Sequence, residues 1–121
     1  MEWLKNLENY FFSNRYHDLY YILLEAISNK KMTYLYILKM ISTGHGINSS
    51  EGTGFCLDQD FDFPEDFCEV EFFIGEMESS TMNIKTFVDI FSNISEDYLL
   101  HYPDDKEKVF NYLALIKQRY G

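Results

Sequence analysis

Apolar residues in the first third of the chain recur at helical spacing. Residues 1–43 contain neither Gly nor Pro, so no strong helix breaker interrupts this stretch. Three runs repeat at helical intervals: Leu4, Leu7 and Phe11; Leu19, Ile22, Leu23, Ala26 and Ile27; and Tyr34, Leu35, Leu38 and Ile41. Such stripes are typical of amphipathic helices that bury one face in a core. The pattern predicts helices throughout residues 1–43, with breaks near Ser13–Asn14 and Ser28–Asn29.

The middle third has the pattern of a loop followed by short strands. Residues 44–54 are rich in Gly and Ser, which predicts a loop. Residues 54–58 form a short apolar run, and residues 69–74 begin with the polar–apolar alternation of a half-buried strand. A turn over residues 75–80 would lead into a third strand near Thr81–Met82. We therefore expect a small antiparallel sheet of about three strands within residues 54–83.

The last third returns to helical spacing. One apolar face is formed by Ile84, Phe87, Val88, Phe91, Ile94 and Tyr98, and a second by Val109, Tyr112, Leu113, Ile116 and Tyr120. Asn83 is a good N-cap for the first of these helices, and Pro103 should end it. Residues 104–107, Asp-Asp-Lys-Glu, resemble an acidic capping box at the start of the second helix.

These elements predict an α+β fold in a single domain, residues 1–121. It is helical over 1–43, has a loop and strands over 44–83, and is helical again over 84–120. A chain of 121 residues with 46% hydrophobic and 18% aromatic residues can bury a core without a metal or disulfide. Its two cysteines, Cys56 and Cys68, have no CxxC pair or histidine pair nearby, so we expect buried free thiols and no zinc site.

No signal peptide or membrane-spanning run is visible in the sequence. The first eight residues alternate charged and apolar side chains, and no apolar stretch approaches about 18 residues. We expect a cytoplasmic protein with no membrane partner.

The charge is concentrated in the middle of the chain. The net charge is −10, from 20 acidic and 10 basic residues. Residues 51–78, which we call the acidic segment, contain ten acidic residues and no Lys or Arg: Glu51, Asp58, Asp60, Asp62, Glu65, Asp66, Glu69, Glu71, Glu76 and Glu78. The other ten acids balance all the basic residues, so this segment carries the whole net charge.

This charge favours a basic protein partner over nucleic acid, because binding to phosphate backbones needs Lys and Arg. Phenylalanines interleave with the acids, which favours a folded binding surface over a solvating tail. The proposed contact residues are Asp58, Asp60, Asp62, Glu65, Asp66, Glu69, Glu71, Phe61 and Phe63. An acidic regulatory or calcium-binding interaction module is the alternative.

Other chemistry is weakly indicated. Counted from Asp58, acids fall at EF-hand positions 1, 3, 5, 9 and 12, but position 6 is Phe63 where the calcium loop needs Gly. The Gly-x-Gly pieces of residues 44–54 begin no phosphate-binding motif. The three histidines are scattered and no nucleophile motif is present, so we expect no catalytic residues, no cofactor and no enzyme activity.

The chain resembles a family of bacterial immunity proteins. The residues that carry the resemblance are Gly52-Thr53-Gly54-Phe55-Cys56-Leu57-Asp58-Gln59-Asp60, then Val70-Glu71-Phe72-Phe73-Ile74, a helix with Phe87, and Tyr98-Leu99-Leu100-His101-Tyr102-Pro103-Asp104-Asp105-Lys106-Glu107-Lys108. Over residues 52–120 the chain is similar to immunity proteins of contact-dependent growth inhibition systems that neutralise ribonuclease toxins. Residues 31–48 fit this resemblance less well, and we interpret them as an insertion.

The resemblance implies a toxin as the partner. Such proteins lie in the cytoplasm of the toxin-producing cell and bind the C-terminal nuclease domain of a large secreted toxin. The resemblance allows two modes, occlusion of the RNA-binding cleft or binding away from the active site. Occlusion agrees with an acidic surface because a ribonuclease cleft is basic.

Overall fold

The helical and strand patterns of the chain produce ten regular elements in the computed structural model, which describes residues 2–75 and 80–121. The helices are α1 (Glu2–Lys5), α2 (Glu8–Ser13), α3 (His17–Ser28), α4 (Tyr34–Ser42), α5 (Ile84–His101) and α6 (Lys106–Tyr120). The strands are β1 (Asn48–Ser50), β2 (Thr53–Cys56), β3 (Glu69–Ile74) and β4 (Ser80–Asn83). Short 3-10 turns lie at Asp58–Asp60, Pro64–Asp66 and Pro103–Asp105. The α+β class is therefore confirmed.

The sheet is a meander in the order β1-β2-β3-β4, with every neighbouring pair antiparallel. Phe55 of β2 lies opposite Phe72 of β3, and both side chains are buried. The expectation of about three strands was one too few. Strand β1 lies in the stretch that we predicted as loop, because Asn-Ser-Ser has no apolar alternation and becomes a strand only by pairing with β2. The predicted turn over residues 75–80 falls mostly on residues 76–79, outside the described residues.

The N-terminal helices begin and end close to the predicted breaks. The first predicted helix is divided at Asn6–Leu7 into α1 and α2, and α3 ends at Ser28. Lys30 has φ +57°, the left-handed conformation that commonly ends a helix. Helix α4 begins where the Thr33 side chain accepts a hydrogen bond from the Tyr36 amide at 3.1 Å.

Of the two helix N-caps predicted in the C-terminal third, one is confirmed and one is wrong. The Asn83 side chain accepts hydrogen bonds from the amides of Lys85 at 2.8 Å and Thr86 at 3.4 Å, so this N-cap is confirmed. The capping box over residues 104–107 is wrong. Asp105 makes no side-chain cap and instead accepts a hydrogen bond from the Tyr98 hydroxyl at 2.6 Å. A buried tyrosine hydroxyl needs a hydrogen-bond partner. Because the Asp105 carboxylate accepts this hydrogen bond, it does not cap the amides at the start of α6.

One cluster of buried apolar side chains includes residues of all six helices and of β2 and β3. The predicted stripes supply most of it, including Leu19, Leu23 and Phe91, each fully buried. The prediction that both cysteines are buried was wrong. Cys56 is half-buried and Cys68 is exposed, and both are free thiols. Cys68 directly precedes exposed Glu69 at the start of β3, outside the core. Burial, together with the charges of Asp60 and Glu71, raises the pKa of the Cys56 thiol.

Candidate functional site

The most acidic part of the chain joins β2 to β3 as a folded connection, residues 57–68, which we call the acidic loop. Its Leu57 side chain is fully buried. Near the other end, the Phe67 ring packs against Phe61 at 5.7 Å and against Tyr120 of α6 at 6.2 Å between ring centroids. Two 3-10 turns give the backbone between them local hydrogen bonds. The acidic loop is therefore held to the core at both ends.

Asp60 fastens the start of the acidic loop to the preceding connection. Its Oδ2 accepts hydrogen bonds from the backbone amides of Gly46 at 2.7 Å and Leu57 at 2.9 Å. Its Oδ1 lies 3.3 Å from His45 Nδ1. A carboxylate that accepts from two backbone amides is strongly oriented. Asp60 therefore has a structural role, which is to position the acidic loop.

Asp58 joins the acidic loop to the end of α6. Its Oδ2 accepts a hydrogen bond from Arg119 Nη2 at 2.6 Å, and its Oδ1 accepts one from the Tyr120 hydroxyl at 2.6 Å. Burial by itself would raise the pKa of Asp58, but the hydrogen bonds from Arg119, Tyr120 and Gln59 outweigh it and lower the pKa to about 2. Asp58 is thus ionised at neutral pH and paired within the chain.

Gly44 makes room for this pairing. Its φ is +86°, a left-handed value that favours glycine. A Cβ atom at position 44 would lie only 2.4 Å from Arg119 Nη2. The glycine thus allows the guanidinium to pass close to the backbone and reach Asp58.

The other acids of the predicted set are turned outwards. Asp62, Glu65, Asp66 and Glu69 are exposed, and Glu71 is half-buried on β3. In the described residues, none of these five carboxylates forms an ion pair with a Lys, Arg or His within 4.0 Å. Their negative charge is therefore not compensated by a close cation there.

A concavity of about 320 Å³ brings six members of the predicted set together. Its walls include the carboxylates of Asp60, Asp62, Asp66 and Glu71 and the rings of Phe61 and Phe63. Within residues 2–75 and 80–121, no Lys or Arg lines it. Asp58, Glu65 and Glu69 lie outside this lining.

Phe63 is the most exposed aromatic side chain of this surface, at 63% of its area. The other phenylalanines among the acids serve the fold: Phe55 and Phe72 are buried, and Phe61, Phe67 and Phe73 are half-buried. A concavity of this kind can accept a Lys or Arg side chain, since carboxylates attract its charge and an aromatic face adds a cation–π contact. We call the concavity and the exposed acids beside it the acidic face: Asp60, Phe61, Asp62, Phe63, Glu65, Asp66 and Glu71.

The EF-hand spacing of the acidic loop does not gather its acids around one point. Among residues 2–75 and 80–121, no three His, Cys, Asp or Glu side chains are grouped so as to hold a metal ion. Asp58 and Asp60 are drawn to different partners, Arg119 and Gly46, and strands rather than helices flank the loop.

Arg119 and Tyr120 are the site residues that sequence reasoning missed. They lie 61 and 62 residues from Asp58, so no local spacing connects them with the acidic loop. Among the described residues, Arg119 is the one Lys or Arg whose side chain lies within 4.0 Å of a carboxylate of the acidic loop, and it comes from the helix at the other end of the chain. Only the apolar stripe that includes Tyr120 hinted that the end of α6 packs inwards.

None of the described helices is both long enough and apolar enough to cross a bilayer.

Comparison with known proteins gives one result. A family model described as "CDI immunity protein" matches residues 5–113. No curated protein and no experimentally determined structure matches the chain. The matched range includes residues 31–48, and α4 within it contributes fully buried Ile37, Leu38 and Ile41 to the core. The match thus extends further towards the N-terminus than the resemblance over residues 52–120, and α4 is part of the same core as the rest of the matched range.

Proposed function

The chain belongs to the CDI immunity protein family, whose members neutralise a toxin of contact-dependent growth inhibition, and we propose that it does so by binding a ribonuclease toxin domain through the acidic face. The protein works as a single domain in the cytoplasm of the toxin-producing cell. It inhibits by forming a stoichiometric complex and catalyses no reaction. The partner is the C-terminal domain of a large secreted toxin.

The observation that carries this proposal is the acidic concavity beside Phe63. Four carboxylates and an exposed ring border one hollow, and no basic residue lines it in the part of the chain that the structure describes. A ribonuclease cleft must carry cations to hold the RNA backbone. The two surfaces are therefore complementary in charge, and the hollow suits a protruding Lys or Arg of the cleft.

The anchoring of the acidic loop supports the same function. Asp58 and Asp60 are bound to Arg119 and to backbone amides, so the acidic loop is ordered before a partner arrives. Preorganisation lowers the entropy that association costs, because fewer side chains and backbone torsions must be immobilised.

The exposed acids and Phe63 contribute in different ways. Exposed ion pairs add only about 0–1 kcal/mol each, but a surface of one sign steers a charged partner and raises the association rate. A large ring buried in a partner's pocket is a common hot spot, worth about 2 kcal/mol or more. We expect the acids to govern the rate of association and Phe63 the rate of dissociation.

Neutralising the outward acids tests the proposal. The variant Asp62→Asn, Glu65→Gln, Asp66→Asn removes three charges and none of the hydrogen bonds that hold the acidic loop through Asp58 and Asp60. We expect its affinity for the cognate toxin domain to fall by a factor between about three and 150, as measured by calorimetry, since three pairs of about 0.2–1 kcal/mol each amount to roughly 0.6–3 kcal/mol. Cells that co-express the toxin with this variant should lose protection.

The matched control is Asp89→Asn, Glu96→Gln, Glu107→Gln. These three acids are exposed on α5 and α6, and the change in net charge is the same. This control should retain affinity and protection. Equal loss in both variants would mean that net charge alone matters. Full protection by the first variant would exclude the acidic face as the interface.

A further inference from the structure

A second concavity, distinct from the acidic face, lies where α1, the α3–α4 connection and the end of α5 meet. Its volume is about 650 Å³, within the range of small-molecule sites in proteins. It shares no lining residue with the acidic concavity. We call it the aromatic pocket.

Half of the residues that line the aromatic pocket are aromatic: Trp3, Tyr34, Tyr36, Tyr98 and Tyr102. Trp3, Tyr34 and Tyr98 are buried and pack edge to face or tilted, with centroids 4.7–5.1 Å apart. Tyr36 and Tyr102 are each 44% exposed. Buried rings therefore support the pocket, and two partly exposed rings remain for contact with a ligand.

The hydroxyls of the buried tyrosines are already used within the fold. Tyr34 Oη lies 2.7 Å from Ser95 Oγ, and Tyr98 Oη donates to Asp105 at 2.6 Å. These bonds fix the orientation of the two rings. What the rings offer to the pocket is apolar and π surface, which suits a flat ring.

The charge of the pocket is opposite to that of the protein. Lys30 and Lys31 line it, and among the residues that the structure describes no Asp or Glu does, in a chain of net charge −10. Within the described residues, neither lysine forms an ion pair within 4.0 Å. The Lys31 ammonium donates to the Ser49 carbonyl oxygen, outside the pocket lining, and its charge also acts on the Glu25 carboxylate. Lys30, which is exposed, is therefore the cation that the pocket offers to a ligand. The first turn of α4 also lines the pocket through Thr33 and Tyr34, and a helix start carries partial positive charge.

From these observations we propose that the aromatic pocket binds a small planar anion, an aromatic ring that carries a phosphate. The ring contacts Tyr36 and Tyr102, and the phosphate contacts Lys30. This site is independent of the proposed toxin-binding surface, so either can fail without the other.

Trp3 provides a local signal for the test, because it is the only tryptophan of the chain and lies in the pocket. We expect adenosine 5′-monophosphate to change the tryptophan fluorescence in a saturable way. Adenosine, which lacks the phosphate, and ribose 5-phosphate, which lacks the ring, should each bind about tenfold more weakly, since a charge-assisted hydrogen bond or a base–aromatic stack is worth roughly that factor.

Two pairs of variants locate the binding. Lys30→Gln and Tyr36→Leu should each weaken adenosine 5′-monophosphate binding about tenfold. The matched controls Lys39→Gln and Phe110→Leu, which change exposed residues outside the pocket, should bind as the unaltered chain does.

Four results would overturn the proposal. They are no saturable fluorescence change with adenosine 5′-monophosphate, equal affinity for adenosine, undiminished binding by Lys30→Gln, and binding of a short single-stranded RNA but not of the mononucleotide. The last result would indicate a surface that follows a phosphate backbone instead of a pocket for a small molecule. Protection against the toxin should be unchanged in Lys30→Gln, which separates this test from that of the acidic face.

Discussion

At the scale of single residues, identical side chains in the acidic loop do different work. Asp58 and Asp60 bind partners within the chain, whereas Asp62 and Asp66 are exposed. The sequence shows four aspartates at short intervals and does not distinguish them. The distinction depends on Arg119 and on the amides of Gly46 and Leu57, which only the folded chain brings close.

The Asp58 pairing should appear in the stability of the protein. Asp58→Asn removes the charge that Arg119 and Tyr120 bind, so we expect the free energy of unfolding at pH 7 to fall by about 1–2 kcal/mol. The pKa of Asp58 is about 2 in the folded chain, below its ordinary value. Its contribution is therefore complete above about pH 4 and is lost as the pH falls towards about 2.

Urea unfolding of both proteins between pH 7 and pH 3 measures this effect. The stability gap between them should narrow as the pH is lowered, because the unaltered chain loses the same interaction. Asp62→Asn is the control and should change stability by less than about 0.5 kcal/mol. A gap that does not vary with pH would show that the ion pair contributes nothing.

At the scale of elements, local spacing predicted the helices better than it predicted the strands and the helix caps. The stripes at Leu19–Ile27 and Ile84–Tyr98 became α3 and α5 because burial of one face was already encoded at 3.6-residue intervals. Strand β1 was missed because its sequence has no strand pattern of its own. It is a strand because it pairs with β2. The capping box over residues 104–107 failed because Tyr98, a residue of another helix, takes Asp105.

The Asn83 cap is the feature that spacing predicted and the structure confirmed. Asn83→Ala removes the acceptor for the amides of Lys85 and Thr86. We expect a loss of about 1 kcal/mol in the free energy of unfolding. Asn111→Ala, an exposed substitution inside α6, should cause no loss because Ala favours helix interiors. Equal stabilities for the Asn83 variant and the unaltered chain would contradict the capping role.

At the scale of the whole molecule, the fold divides the surface into regions of unlike charge. The acidic segment provides the net charge of −10, and β2 and β3 present its loop as one ordered surface. Lys30 and Lys31 lie at the aromatic pocket, away from the acidic concavity's lining. Helix α6 ends on the acidic loop through Arg119, so residues beyond the family match at 113 still support the proposed interface.

Steering by this charge predicts a salt dependence. The association rate with the toxin domain should fall steeply between about 0.01 M and 0.15 M salt, because screening shortens the Debye length from about 30 Å to 8 Å. The variant Asp62→Asn, Glu65→Gln, Asp66→Asn should show a shallower slope, and its rate should approach that of the unaltered chain near 1 M salt. Stopped-flow mixing measures both. Parallel slopes would show that other charges steer the encounter.

The sequence by itself determined the helices, the α+β class, the position of the net charge and, through motif resemblance, the immunity family. These features depend on local periodicity, composition and short motifs, which can be read from residues that are neighbours in the sequence. Only the tertiary structure decided which acids are anchors and which are free to contact a partner. It also decided that Arg119 and Tyr120 of α6 hydrogen-bond to the acidic loop. Five aromatic residues from three helices and their flanking turns form one pocket for the same reason. Hydrogen bonds and packing between residues far apart along the chain, such as Asp58 with Arg119 and Trp3 with Tyr98, make most of these choices, and no spacing along the chain records them.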